Sequence, residues 1–446
     1  MKIYFPFLLV LLVSCQQGFL EKKPDQSLVV PSTLEDLQAL LDHDLTLMNE
    51  VPALGLIASD ELYTTQEGYR AFIHPAERNA YHWAVELYEG EPINDWDKPY
   101  QQVFYSNVVL EALTDIPVTQ TNNAQWEVLQ GSALFYRAHA FFQLAQLFSA
   151  PYGQDQALGI PLRLSADVKK AVRRASLEDT FSQIIQDLEK AENLLPLTSP
   201  YKTRPSRLAV WALLARVYLI MENYSQALDY ARKFLQEQRE LLDYTELDTS
   251  QSRPFPSDNP EVVFEAVLTS YMFTISSQVY VDSLLYQEYT DGDLRKSLFF
   301  KEGEEGYLFK GSYTGNFYLF GGLATDEVFF ISAESKVRTG DIAGALKELN
   351  ELLQSRWRPE DFVPITEAEP EALLSRILEE RRKQLVFRGI RWQDLRRLNQ
   401  DPRFALTLER TLEGEHYTLP PEDPRYVFSI PEQEIQLSGI EQNSRK

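Results

Sequence analysis

One stretch narrows the possible folds of this chain more than any other. Trp211, Leu214, Ala215 and Tyr218, followed by Ala227, match the leading positions of the tetratricopeptide (TPR) helical-hairpin pattern. The spacing has a packing reason. Leu214 and Tyr218 fill the space between two antiparallel helices, while Ala215 and Ala227 let the two backbones approach. Glu222-Asn223 makes the turn. A weaker copy starts at Phe329, with Ala333 and Ala345 at the small positions and Gly340-Asp341 at the turn. A third candidate, Ala133 to Phe148, lacks a clear partner signature. Such units cannot bury their faces alone, so neighbours must stack.

Helical periodicity covers about 95–148, 176–235 and 326–399. In the first region Leu134, Ala138, Phe141, Phe142, Ala145 and Phe148 form one apolar stripe, with a break near Pro117 to Ala124. Ser176-Leu177-Glu178-Asp179 fits a capping box, Pro196 ends that helix, and Pro205 or Ser206 opens the next. The third region is interrupted around Pro359 to Pro370. Between these lie loop-rich segments, about 54–94 and 241–324, with short apolar runs such as Val262-Val263-Phe264 that read as strands. The expected fold is mainly α: a TPR-like helical platform carrying irregular insertions and a few short strands.

The N-terminus reads as an address. Lys2 precedes an apolar run from Ile3 to Val13, too short to span a bilayer but long enough for a signal-peptide core. It ends in Leu12-Val13-Ser14-Cys15, similar to the lipobox of bacterial lipoproteins, and Cys15 is the only cysteine. Residues 1–14 are thus expected to be a signal peptide, Cys15 the lipidation site, Gln16 to Gln26 a polar tether, and 15–446 one domain.

A formal net charge of −23 disfavours a nucleic-acid partner. A lone cysteine excludes an internal disulfide and a cysteine-built zinc site, and the five histidines form no close-spaced pair. No metal and no cofactor is expected.

Several segments together resemble the SusD/RagB outer-membrane lipoproteins. These are Phe19-Leu20-Glu21 with Pro24, Leu34 to Leu41, Ala58-Ser59-Asp60-Glu61, Trp96 to Asn107, and Phe135 to Phe142. Gly159-Ile160-Pro161-Leu162, Arg204 to Arg207 with Ala212 to Tyr218, Glu380 to Arg397, Ser429-Ile430-Pro431 and Gln442-Asn443 continue the resemblance in order. Gln384 stands where the family usually has Glu and Leu398 where it often has Trp. The resemblance implies a cell-surface protein, lipid-anchored in the outer membrane and facing the exterior. It implies capture of a glycan, or an oligopeptide, and delivery to a SusC-like TonB-dependent transporter without catalysis. Two other classes stay open from the residues alone: a surface glycoside hydrolase with a carboxylate pair, and a TPR scaffold that binds protein.

Sugar recognition pairs flat aromatic faces with planar polar groups on loops. Two segments carry that mixture. The first holds Asp60, Glu61, Tyr63, Arg70, Tyr81, Trp83 and Tyr88; the second holds Tyr271, Phe273, Tyr280, Tyr313, Asn316 and Tyr318. Some from each are expected to converge. The run Arg381, Arg382, Arg388, Arg391, Arg396 and Arg397 reads as pairing at helical spacing with Glu379, Glu380 and Asp394. Asp291-Gly292-Asp293 lacks full calcium-loop spacing and reads as a solvated turn.

Overall fold

The computed structural model describes residues 31–154 and 156–446. The expectations on residues 1–30, including the Cys15 lipidation site, lie outside the described residues. Among those described, no helix is long and apolar enough to cross a membrane.

The centre is the helix Asn123–Phe148. Its residues from Gly131 to Phe148 are all buried; most are apolar or small on every side, as a fully enclosed helix requires, and the buried Arg137 is matched by Asp187 and Asn107. It packs between the helices Asn94–Asp115 and Leu177–Leu194. The next helix begins where Ser206, rather than Pro205, accepts a hydrogen bond from the Ala209 amide. Ser176 caps Leu177–Leu194 by accepting from the Asp179 amide. The box is only half closed, because the Asp179 carboxylate takes the Ser176 hydroxyl at 2.8 Å instead of the backbone amide.

Arg207–Ile220 and Tyr224–Glu237 form the hairpin read from the repeat pattern. Leu214, Ala215 and Ala227 are fully buried, and Tyr218 stacks on Tyr230 with ring centroids 5.7 Å apart. Glu222 turns the chain in a left-handed conformation, φ 56°, and Asn223 caps the second helix. Thr325–Arg338 and Ile342–Gln354 repeat this design, with Gly340 at φ 92° and Asp341 capping through the Gly344 amide. Here glycine is needed for the left-handed turn. Pro370–Gln384 packs on the first of these helices, and Arg391–Leu398 closes the platform.

Arginines weld the helices together. Arg216 holds Glu327, Arg397 holds Glu334 and Asp394, Arg381 holds Asp394, and Arg388 holds Asp326, all buried. The arginine run therefore pairs mostly across helices; among its pairs with carboxylates, Arg397–Asp394 keeps the expected i,i+3 spacing. Among the described residues Arg396 has no carboxylate partner; it donates to the backbone carbonyls of Gln146 and Ser149 at the end of the central helix. Buried guanidiniums reach for whatever acceptor the tertiary packing brings, which helical spacing does not encode.

The segment 54–94 is more helical than its texture suggests, with Leu54–Ala58, Gln66–Ala71 and Pro75–Tyr81. Each is two turns or less, too short to show a period. Strands pair only two at a time among the described residues. One ribbon joins the two loop-rich segments: Leu62–Thr64 runs antiparallel to Val279–Val281, with Tyr63 opposite Tyr280.

Candidate functional site

That ribbon brings residues from both candidate segments onto one face. Tyr63 and Tyr280 lie with ring centroids 5.4 Å apart, and the Tyr63 hydroxyl donates to the Glu305 carbonyl at 2.7 Å. Beside the ribbon a cavity of about 300 Å³ opens between the 274–277 turn and the 308–319 segment. Its apolar lining includes Ile275 and Phe317, 54% and 58% exposed. Its polar lining includes Ser276, Ser277, Arg253, Lys301, Lys310 and Asn316.

The Phe317 tip is built by its neighbours. Asn316 accepts from the Tyr318 amide at 2.8 Å, and the Thr314 hydroxyl donates to the Tyr318 carbonyl at 2.8 Å. Tyr318 lies 4.1 Å from Phe317, centroid to centroid. Asn316 therefore shapes the tip, while Phe317 offers an open ring face. Phe317 was missed in the sequence; its signal was position, in a Gly-Asn-Phe-Tyr turn, not type.

Other expected site residues lie in the framework. Tyr81 and Trp83 are each 2% exposed, so neither has a face to stack a ligand on. The Arg410 guanidinium covers both rings, and the Trp83 indole donates to the Ala58 carbonyl at 2.9 Å. Tyr88 and Phe273 are likewise buried. Tyr313 is buried in a network with Tyr244, Asp326, Glu261 and Gln384. Tyr271 is anchored through a 2.6 Å bond to Asp95, whose own carboxyl burial pushes up to about 6. Arg70 is exposed and meets Glu413 at 2.5 Å.

Asp60 and Glu61 show opposite electrostatics. Burial alone would raise the Asp60 carboxyl, but Arg391, at 2.7 and 2.9 Å, and Arg382, at 3.0 Å, hold it well below the usual carboxylate range. Glu61 is pushed up to about 8, first by burial and then by the neighbouring Asp60 charge, and its Oε2 has no hydrogen-bond partner. Asp60 is clamped and Glu61 is 1% exposed. Asp293 corrects the solvated-turn reading of 291–293: it is buried between Arg295 and Lys383, while Asp291 is exposed and meets Lys296. Among the described residues no acidic or histidine cluster is arranged to hold a metal.

A helical, TPR-like platform is also the fold of solved SusD superfamily structures to which this chain is similar. The SusD-like family described as starch-binding and associating with the outer membrane matches residues 18–219. The SusD-like protein P38 of Formosa agariphila is 27% identical over 137 residues, 30% of this chain; the match spans only 24% of that relative's length. A SusD superfamily protein of Bacteroides thetaiotaomicron superposes with a TM-score of 0.77 at 21% identity, covering 93% of this chain and 100% of the other. A sugar-binding-type protein of Bacteroides vulgatus gives a TM-score of 0.74 at 20% identity, covering 92% and 98%. Together these findings show similarity to the SusD-like family over residues 18–219 and a SusD-like fold over nearly the whole chain.

Proposed function

We propose that the protein captures a glycan on the Phe317 face and passes it, chemically unchanged, to a SusC-like TonB-dependent transporter. In this reading it is held at the outer membrane by lipid on Cys15 and faces the exterior. The observation that carries the proposal is Phe317, an exposed ring beside a cavity whose walls offer hydroxyl, amide and cationic donors. A sugar ring lays its C–H face on such a ring and gives its hydroxyls to such donors.

Two features support binding without chemistry. The Asp60 carboxylate is committed to two guanidiniums, and Glu61 is enclosed, so the adjacent pair reaches no glycosidic bond. A glycosidase needs both carboxyl groups open to the scissile oxygen.

The test is a binding screen of polysaccharides and oligopeptides with product analysis. Retention of a glycan, lost in Phe317→Ala, is expected. Shortened product would favour a hydrolase. A peptide ligand would keep the site and change its cargo, and co-purification with a barrel alone would favour a scaffold.

A further inference from the structure

The cavity beside Phe317 runs against the charge of the chain as a whole. The sequence holds 66 acidic and 43 basic residues. Arg253, Lys301 and Lys310 nevertheless line this cavity, and no carboxylate does. A recess lined by one sign of charge focuses its field on whatever enters it.

A hairpin sorts the charges. Phe300–Glu302 runs antiparallel to Tyr307–Phe309, with Lys301 opposite Leu308 and Glu302 opposite Tyr307. Successive side chains on a strand point to opposite faces. Lys301 and Leu308 therefore share the face that lines the cavity. Lys310, whose amide continues the ladder to the Phe299 carbonyl, lies two residues past Leu308 on that same face. Glu302 is on the other face with Tyr307, whose ring stacks on Tyr286 at 3.6 Å between centroids. Glu304 and Glu305 sit in the turn beyond, outside the cavity lining.

The three cations are not equivalent. Lys310 is fixed in place, because its Nζ donates to the carbonyls of Thr249 at 2.7 Å and Gln251 at 3.1 Å. Burial, and then the Lys301 charge, pull its ammonium below the ordinary lysine value. Asp248 is the carboxylate that acts on Lys310, but the Ser250 amide and the Gln251 side chain already engage it, each at 2.9 Å. Lys301 and Arg253 are exposed, and among the described residues neither joins an ion pair or donates a side-chain hydrogen bond. Their donors are open to a ligand. Like charges gathered without a counterion repel one another, and an anion set between them relieves that repulsion.

We propose that the glycan taken on the Phe317 face is acidic, with a carboxylate or sulfate of its repeating unit set against Lys301 and Arg253 while a sugar ring lies on Phe317. This rests on the capture reading above and names its class of cargo. A guanidinium and an ammonium bind oxyanions of either kind, so the shared chemistry is the negative charge. A neutral glycan would cover Phe317 and leave both cations unmatched.

Isothermal titration of the full chain tests it with two matched pairs: polygalacturonate against its methyl ester, and carrageenan against its desulfated form. An acidic member is expected to bind, and its neutral counterpart about tenfold or more weaker. Which acid binds separates carboxylate from sulfate. Raising salt from about 50 to about 500 mM should weaken that binding. Lys301→Ala combined with Arg253→Ala should weaken it about tenfold or more; both side chains are exposed, so the fold is not at stake. Lys169→Ala combined with Lys170→Ala, exposed lysines outside the cavity lining, should change nothing. Neutral members that bind as well as acidic ones, with binding lost in Phe317→Ala but kept in the Lys301 and Arg253 variant, would overturn the acidic assignment and leave capture standing. An equal loss in the Lys169 and Lys170 variant would also overturn it, as general attraction of a polyanion to surface lysines. No binding by any member would overturn the assignment and the capture reading together.

Discussion

The helical platform and the loop face solve opposite problems with the same residue types. In the platform, aromatic rings and charges are enclosed and mutually committed: Arg388 lies 3.9 Å over the Tyr313 ring while holding Asp326. On the loop face Phe317 is left more than half exposed and Lys301 is solvent-facing, although Lys310 is held by the carbonyls of Thr249 and Gln251. The difference teaches that aromatic content by itself says nothing about recognition in this chain. Commitment to a neighbour decides it. Substitutions in the platform should change stability, and substitutions at the loop tip should change affinity.

The largest expected effect tests the platform side. Arg216 and Glu327 are 2% and 3% exposed at the side chain, joined at 2.8 Å through Nε and again through Nη2. Arg216→Met leaves the Glu327 carboxylate with Arg381 as its nearest cation, at 3.8 Å. Breaking a buried pair from one side costs about 3–5 kcal/mol. Denaturant unfolding should show that loss, while the folded fraction keeps its ligand affinity. An affinity loss as large as the stability loss would erase the distinction between the two regions.

The next effect is pH-dependent and sits at the seam between them. The Glu61 carboxyl titrates near 8 in the folded chain against an ordinary 4.5. Below about pH 4.5 both states hold the proton. Above it the unfolded chain releases the proton and the folded chain does not, so stability falls as pH rises towards 8. Glu61→Gln removes this dependence, and its advantage over the parent at pH 8 should reach about 2–4 kcal/mol. Melting curves from pH 4 to pH 8 that run parallel for the two proteins would show that Glu61 is paired in a way the geometry does not reveal. Asp60 bends the curve the other way, since Arg391 and Arg382 hold it charged far into acid.

The platform was legible in the sequence because its packing is local and periodic. Ala215, Ala227, Ala333 and Ala345 each announce a close helix approach, and the structure puts all four at 1% exposure or less. The loop face was legible only as a composition. Two segments rich in Tyr and polar residues were visible, but nothing local says that Tyr63 will face Tyr280 across a ribbon spanning more than 200 residues. Nor does sequence distinguish Trp83, closed over by Arg410, from Phe317, left open. That choice is made by distant chain segments. Gln384 shows the same limit. Its role is tertiary: its amide donates to Asp326 at 2.8 Å, close to Glu261. A carboxylate there would add a third negative charge to the cluster.

A sharper comparison comes from one aromatic of each kind. Phe317→Ala should weaken glycan binding by about tenfold, the worth of one stacked ring, with a stability change within about 0.5 kcal/mol. Trp83→Ala should do the reverse at the level of stability, because a large buried ring leaves a cavity costing about 3–5 kcal/mol. Affinity titrations and urea melts on the two variants check the pair. If Trp83→Ala stays stable yet loses the ligand, the indole contacts cargo and the boundary between framework and face must be redrawn.

The smallest effect probes whether exposed charge on the loop face matters at all. Arg70 and Glu413 meet at 2.5 Å with side chains 65% and 46% exposed. Exposed pairs of this kind contribute about 0–1 kcal/mol, because water screens them and two long side chains must be held still. Arg70→Ala should therefore shift the urea midpoint barely above error and leave glycan affinity unchanged. If affinity falls several-fold while the midpoint stays put, the Arg70 guanidinium forks to sugar hydroxyls. The recognising surface would then extend from the Phe317 tip across the ribbon to the 408–419 hairpin, where Glu413 sits at the turn.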